Sequence, residues 1–288
     1  MKNQNKQKCI RNADIRMITL DLDGTLLTSD KRLTDRTMAA LSAANDRGII
    51  IVPTTGRIFR GLPQEIRDWP FLRYAILSNG AAVYDIERDY TLYRAELPLS
   101  QALEIMSWLD GQPVIYDCYM DGNSWITADM LEQIDQYIAN PALLRFVKSI
   151  RQPVPDLKAF VREKGRSLQK IQLFCQDDET QVRLLSHIPF DHIAVSSSVP
   201  RNVEINHEDA HKGAGMLALA RYLGIEPEQI MAFGDGLNDI SMIREAGWGV
   251  AMENAVKEVK AVAALTTASN DEDGVAQMME RLIADFGG

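Results

Sequence analysis

The stretch Ile15-Arg16-Met17-Ile18-Thr19-Leu20-Asp21-Leu22-Asp23-Gly24-Thr25 governs the reading of this chain. Its first six residues form a short, mostly apolar run, as expected for a strand buried on both faces of a parallel sheet. Two carboxylates follow at i and i+2 where the run stops, and Gly24 allows a tight turn after them. That position is the carboxyl edge of the strand, where open α/β sheets bind ligands. Taken alone, the pair reads equally well as an acidic surface turn, so the rest of the chain must decide.

Working outward, the same pattern recurs: a short apolar run, polar loop residues, then a helical pattern. Strands are expected at 15–20, 48–52 and 74–77. Between the first two, 34–47 reads as a helix with Thr34 or Asp35 as its N-cap and Gly48 just past its end. The alternation resumes with strands at 202–205, 229–233 and 249–252 and helices at 212–223, 238–246, 255–263 and 275–285. The fold class is therefore α/β, a Rossmann-like doubly wound parallel sheet split by an insertion. The core occupies 15–84 and 200–288. The insertion, 85–199, carries its own helix (100–110) and strands (114–120 and 168–175) and reads as a second α/β unit. Residues 1–14 form a polar extension without the apolar run of a signal peptide.

The chain has 288 residues, 46% of them hydrophobic, enough for a sizeable core in one or two domains. Its formal charge of −9 is spread along the sequence, which disfavours nucleic-acid and anionic-membrane partners. An anionic substrate would need positive charge supplied locally by a metal ion or a few Lys and Arg side chains. Cys9, Cys118 and Cys175 are far apart and in no metal-ligand spacing, as expected of reduced thiols in a cytoplasmic protein. No apolar run approaches membrane-spanning length.

Three further segments bear on the aspartate pair. Thr54-Thr55-Gly56-Arg57 follows the second strand and offers a hydroxyl and a backbone amide to a phosphoryl oxygen; the plainer reading is a turn ended by Gly56. Lys212 opens a helix, where an ammonium and free N–H groups together suit a phosphate, although a lysine there is commonly just solvated. Gly234-Asp235-Gly236-Leu237-Asn238-Asp239 again follows a strand and brings hard oxygen donors of the type Mg²⁺ prefers; in isolation it is an ordinary Gly/Asn/Asp turn. All four features fall at one edge of one inferred sheet, which coincidental turns have no reason to do.

These segments resemble the four motifs of the haloacid dehalogenase superfamily, in the order and spacing of its Cof-type sugar-phosphatase branch. Asp21 to Thr25 is similar to motif one, Thr55 to motif two, Lys212 to motif three and Gly234 to Asp239 to motif four. Ser78-Asn79-Gly80-Ala81 resembles the turn that precedes the large cap of that branch. The resemblance spans about 15–285 in its core elements and makes 85–199 a substrate-reading cap. It differs in the extra polar stretch before Ile15 and in Pro53-Thr54 ahead of Thr55.

The resemblance implies a phosphatase of a small phosphorylated metabolite, a sugar phosphate or a phosphorylated cofactor. Asp21 is then the nucleophile and Asp23 the general acid and base, roles that the residue types themselves permit. By the same resemblance, Mg²⁺ is held by Asp21, the backbone carbonyl of Asp23 and Asp235, with Asp239 orienting the metal shell. Thr55, Lys212, Asn238 and the amides of Leu22 and Gly56 contact the phosphoryl group. Cap hinges are expected near 82–85 and 197–201.

Two rival activities follow from other residues. His207-Glu208-Asp209-Ala210-His211 matches the zinc-peptidase pattern, which works only on one face of a continuous helix; a preceding strand and Gly213 and Gly215 after it argue for a turn. A sugar phosphomutase on the same fold would need a second phosphate site, for which Arg145, Arg151, Arg162 and Arg166 are the available cations. Trp108, Trp125, Tyr116 and Tyr119 either line a cleft in the insertion or belong to its core.

Overall fold

The computed structural model describes residues 14–284, so the polar extension lies outside the described residues except for Asp14. The described residues form two compact units, one of 14–55, 63–93 and 211–284, the other of 56–62 and 94–210.

The first unit begins with β1 (Met17–Leu20), α1 (Asp35–Asn45), β2 (Ile50–Pro53), α2 (Gln64–Arg67), β3 (Tyr74–Leu77), β4 (Ala82–Asp85) and β5 (Tyr90–Arg94). Thr34 caps α1 by accepting the Thr37 amide, and Gly48 follows its end at φ +82°. β3, β4 and β5 make a small sheet, which is tied to β2 where Thr54 bridges Ile76 in parallel.

The second unit contains α3 (Leu99–Leu109), β6 (Val114–Met120), β7 (Asn123–Thr127), α4 (Ala128–Gln133), α5 (Pro141–Ile150), β8 (Arg151–Val154), α6 (Leu157–Lys164), β9 (Lys170–Cys175), α7 (Asp178–Ser186), β10 (Ile193–Ser196) and β11 (Asn202–His207). Its strands form one sheet in the order β10-β11-β9-β6-β7-β8, antiparallel except for the β7–β8 pair. Alternate residues of β6 and β9 face opposite ways. Tyr116, Cys118, Ile171 and Leu173 pack with α3, α6 and α7, whereas Ile115 and Phe174 pack with α4 and α5. Beside that second cluster lie two buried ion pairs, Asp117–Arg151 and Lys170–Glu204, each at 2.9 Å. The short segment 56–62 groups here because Lys170 Nζ donates to the Gly56 carbonyl (2.9 Å) and the Arg57 guanidinium lies 4.8 Å from the Phe146 ring centre.

The chain then returns to the first unit with α8 (Lys212–Leu223), β12 (Ile230–Gly234), α9 (Ile240–Glu245), β13 (Trp248–Ala251), α10 (Lys257–Val262), β14 (Leu265–Thr266) and α11 (Gly274–Ala284). The main sheet, β14-β13-β12-β1-β2, is parallel throughout. β1 lies in its interior between β12 and β2, and all four of its residues are buried, as its apolar run requires.

Two expectations need correction. The strand expected at 202–205 is part of β11 and belongs to the sheet of the second unit, not to the parallel sheet. Its alternation of Asn202, Val203, Glu204 and Ile205 is the period-two pattern of an antiparallel strand. The connections between units also fall elsewhere than 82–85 and 197–201, at Thr55–Gly56, Leu62–Pro63, Tyr93–Arg94 and Ala210–His211. Residues 82–85 are tied into β4 by pairing with β3, and 197–201 joins β10 to β11. Among the described residues no helix is long and apolar enough to cross a membrane, and Cys118 and Cys175 are buried free thiols.

The Asp117–Arg151 pair yields a stability prediction. Asp117→Ala leaves a buried guanidinium without its counter-charge and should destabilise the protein by about 3–5 kcal/mol. The apolar double variant Asp117→Leu/Arg151→Met should recover most of that loss. Urea unfolding of the whole chain reads both; an unchanged midpoint for the single variant contradicts the burial of the pair.

Candidate active site

Three sequence-distant segments meet at the carboxyl ends of β1 and β12. Asp21 follows β1 directly, and its amide extends the ladder by donating to the Phe233 carbonyl (3.1 Å). Lys212, the first residue of α8, is fully buried, and its Nζ lies 2.5 Å from both Asp21 Oδ1 and Asp239 Oδ1. The other oxygen of Asp239 accepts the amides of Asp235 (2.9 Å) and Gly236 (2.8 Å), closing the loop after β12 on its own carboxylate. Asp235 is held from the other side, where Thr25 Oγ1 donates to its Oδ1 (2.8 Å). Gly24 sits at φ +89°, and a β-carbon there would stand 2.4 Å from Asp235 Oδ2, so only glycine permits this approach.

The remaining expected residues occupy defined places. Leu22 is buried beside Asp21, and its carbonyl accepts the Leu27 amide. Asp23 is more open than Asp21, with Oδ1 2.8 Å from Lys31 Nζ. Thr55 is buried at the end of β2, its amide donating to the Ile76 carbonyl and its carbonyl accepting the Asn79 amide. Asn238 Nδ2 donates to Asn79 Oδ1 (3.2 Å), which brings the loop after β12 to the turn after β3. Gly56 belongs with the second unit.

The charges of this cluster do not balance on their own. Carboxylate oxygens of Asp21, Asp235 and Asp239 lie within 4.8 Å of one another, and Lys212 is the cation that contacts two of them. Burial pushes the Asp21 carboxyl well above the usual range, and Asp239 and Asp235 add to this against the lowering pull of Lys212. Burial likewise raises Asp235 to about 6, helped by Asp239 and opposed by Thr25 and Lys212. For Lys212, burial works downward, but Asp21 and Asp239 outweigh it and the ammonium stays charged. Converging hard oxygens with an excess of negative charge fit a divalent cation, for which Asp21 and Asp235 offer carboxylate donors.

A family model for haloacid dehalogenase-like hydrolases matches residues 18–279. The chain belongs to this family. Its Cof-type character is carried by its relatives. Phosphatase YwpJ of Bacillus subtilis is 30% identical, the match covering 93% of this chain and 100% of the relative. A second B. subtilis relative, the 5-amino-6-(5-phospho-D-ribitylamino)uracil phosphatase YcsE, is 27% identical over 94% of this chain and 96% of its own. Among solved structures, the haloacid dehalogenase subclass IIB sugar phosphatase BT4131 superposes with a TM-score of 0.76 at 25% identity, covering 92% of this chain and 98% of that one. The chain is a phosphatase of the haloacid dehalogenase superfamily.

Within this haloacid dehalogenase-type site, three of the amides at the start of α8 already have acceptors: that of Gly213 donates to Ser241 Oγ, that of Ala214 to His211 Nδ1 and that of Gly215 to the His211 carbonyl. His207 ends β11 and His211 caps α8, so the zinc-peptidase pattern does not lie on one helix face. The four arginines offered for a second phosphate do not converge. Arg151 is spent on Asp117 and Arg166 pairs with Asp121, while Arg145 and Arg162 project from α5 and α6, which cover opposite faces of their sheet. The aromatics belong to the second unit's own packing: Trp108 meets Phe190, Trp125 meets Phe160, and the hydroxyls of Tyr116 and Tyr119 bond Asp110 and Gln172. Thr25, Asn79, His211 and Ser241 support the site. Thr25 and Asn79 stand in motifs visible in the sequence and His211 in the zinc-peptidase pattern, whereas Ser241 carries no local signal.

Because Asp235 is raised from 3.8 to about 6, the metal-free fold binds a proton there more readily than the unfolded chain does. Its stabilising effect is complete below about pH 4 and is lost as pH rises through about 6. With chelator present, Asp235→Asn should therefore stabilise the protein at pH 8 by on the order of 1–3 kcal/mol, with the gain vanishing near pH 4. Urea unfolding at the two pH values decides; a variant less stable than the parent at pH 8 contradicts the repulsive cluster.

Proposed function

We propose that this phosphatase hydrolyses a phosphate monoester of a sugar or a phosphorylated cofactor with Mg²⁺, through an aspartyl phosphate formed on Asp21. The observation that carries the reading is the buried Lys212 ammonium shared between Asp21 and Asp239 with Asp235 alongside. A nucleophile poised by a fixed cation, next to hard oxygen donors, is what phosphoryl transfer requires, because positioning and charge neutralisation supply most of its catalysis.

In the first step an Asp21 carboxylate oxygen bonds to phosphorus as the ester P–O bond breaks, and the Asp23 carboxyl gives its proton to the departing alkoxide. In the second, Asp23 takes a proton from water, whose oxygen bonds to phosphorus while the bond to Asp21 breaks and inorganic phosphate is released. The more open setting of Asp23 suits a group that must exchange protons twice, and the burial of Asp21 suits a group that must meet phosphorus without competing water. Lys212, Thr55, Asn238 and the amides of Leu22 and Gly56 bind and orient the phosphoryl oxygens. When bound, Mg²⁺ supplies positive charge that lets an anionic nucleophile approach an anionic ester. One relative is named for a phospho-ribitylamino-uracil and one structural relative is named a sugar phosphatase, which supports a small, hydroxyl-rich leaving group.

A screen of phosphorylated metabolites, scored by inorganic phosphate release, tests the substrate class and should find activity that disappears with chelator and returns with Mg²⁺. Asp21→Asn and Lys212→Met should each lower kcat by at least about a thousandfold while leaving the protein folded. Acid quenching with labelled substrate should trap phosphate on the parent chain and none on Asp21→Asn. Full activity in Asp21→Asn, or labelling that persists in it, would falsify the assignment of the nucleophile.

A further inference from the structure

The reading of Lys212 as part of the phosphoryl-transfer site raises the question of what fixes its backbone. A lysine side chain has four torsions, so a buried ammonium shared by two carboxylates needs its Cα held closely. Here α8 and the loop that carries Asp235 and Asp239 are joined by two successive links. Lys212 reaches Asp239 through its side chain, and the next residue, Gly213, donates its amide to the Oγ of Ser241, two positions beyond Asp239 (3.0 Å). The second link depends on a close approach: a β-carbon on Gly213 would stand 2.3 Å from Glu245 Oε2 and 2.9 Å from the carbonyl carbon of Ser241. From the other side, a β-carbon on Gly80 would stand 2.2 Å from the His211 carbonyl oxygen, so the residue before Lys212 is pressed against the turn after β3. His211 itself completes the hold by capping α8 at the Ala214 amide (3.0 Å).

We propose that Ser241 is a positioning residue for the phosphatase reaction: by accepting the Gly213 amide it sets the register of α8 against the loop after β12 and so places the Lys212 ammonium between Asp21 and Asp239. The hydroxyl touches neither the nucleophile nor the metal donors, and it acts through the helix start alone. Glu245 crowds the same residue, its Oε2 2.3 Å from where a β-carbon on Gly213 would stand. Glu245 Oε2 is buried and makes no hydrogen bond, and its carboxyl is raised by burial. Without the Ser241 acceptor, the first turn of α8 would be free to shift against this unsatisfied carboxylate and draw Lys212 off its two partners.

The test is steady-state kinetics of the full-length chain with p-nitrophenyl phosphate and Mg²⁺, alongside thermal unfolding. Ser241→Ala should lower kcat about tenfold with KM within about twofold of the parent, the loss expected when one hydrogen bond ceases to place a charge. Ser241→Thr, which keeps the hydroxyl, should restore most of the rate. If Ser241→Ala does not fold, Ser241→Cys, a weaker acceptor, takes its place with the same expectations. A lower Tm with kcat unchanged, or a loss that Ser241→Thr does not rescue, overturns the proposal and leaves Ser241 a stabilising residue only. Lys212→Met separates this from the parent reading: if it keeps full activity, the assignment of the site itself fails, whereas an inactive Lys212→Met beside a fully active Ser241→Ala sinks only the role of Ser241.

Discussion

The buried ammonium of Lys212 is the interaction on which the rest of the site depends. It joins Asp21 and Asp239, separated from it by 191 and 27 residues, and is fully buried among carboxylates that would otherwise repel. Isolated burial of such a charge is expensive, and it persists here because both partners are within direct contact and one of them, Asp239, is itself pinned by two backbone amides. The parallel sheet serves this contact. It ends β1 and β12 side by side, so that residues from opposite ends of the chain share one small volume.

What could be read in advance was what a short stretch of chain carries by itself. Asp21, Asp23, Thr55 and Asp235 each stand just after an apolar run, and the run announces both the strand and its carboxyl edge. The capping of α1 by Thr34 was legible for the same reason. Contacts between distant residues left no local trace. Nothing in the sequence near Thr25 says that its hydroxyl meets Asp235, 210 positions away, or that the amides at the start of α8 are consumed by His211 and Ser241. For 202–205 the position along the chain suggests the parallel sheet, whereas its alternation does not. Glu204 and Asn206 interleave with Val203 and Ile205, and a strand with two chemically different faces suits an antiparallel sheet.

The second unit follows a different rule. One side of its sheet is an ordinary apolar core, while the other combines an apolar cluster with the paired charges Asp117–Arg151 and Lys170–Glu204. Each cation there has its own counter-ion, so the patch is polar without a strong net sign.

The approach of Gly24 to Asp235 has a consequence for how the chain persists. With a carboxylate held where a β-carbon would lie, and two more within 4.8 Å, the folded chain without a cation carries a repulsion that the unfolded chain does not. Any hard cation that fills the cluster relieves it and stabilises the native state by mass action. An ion bound there would thus also lower the population of open, protease-sensitive chains, and its scarcity would reduce the number of folded molecules.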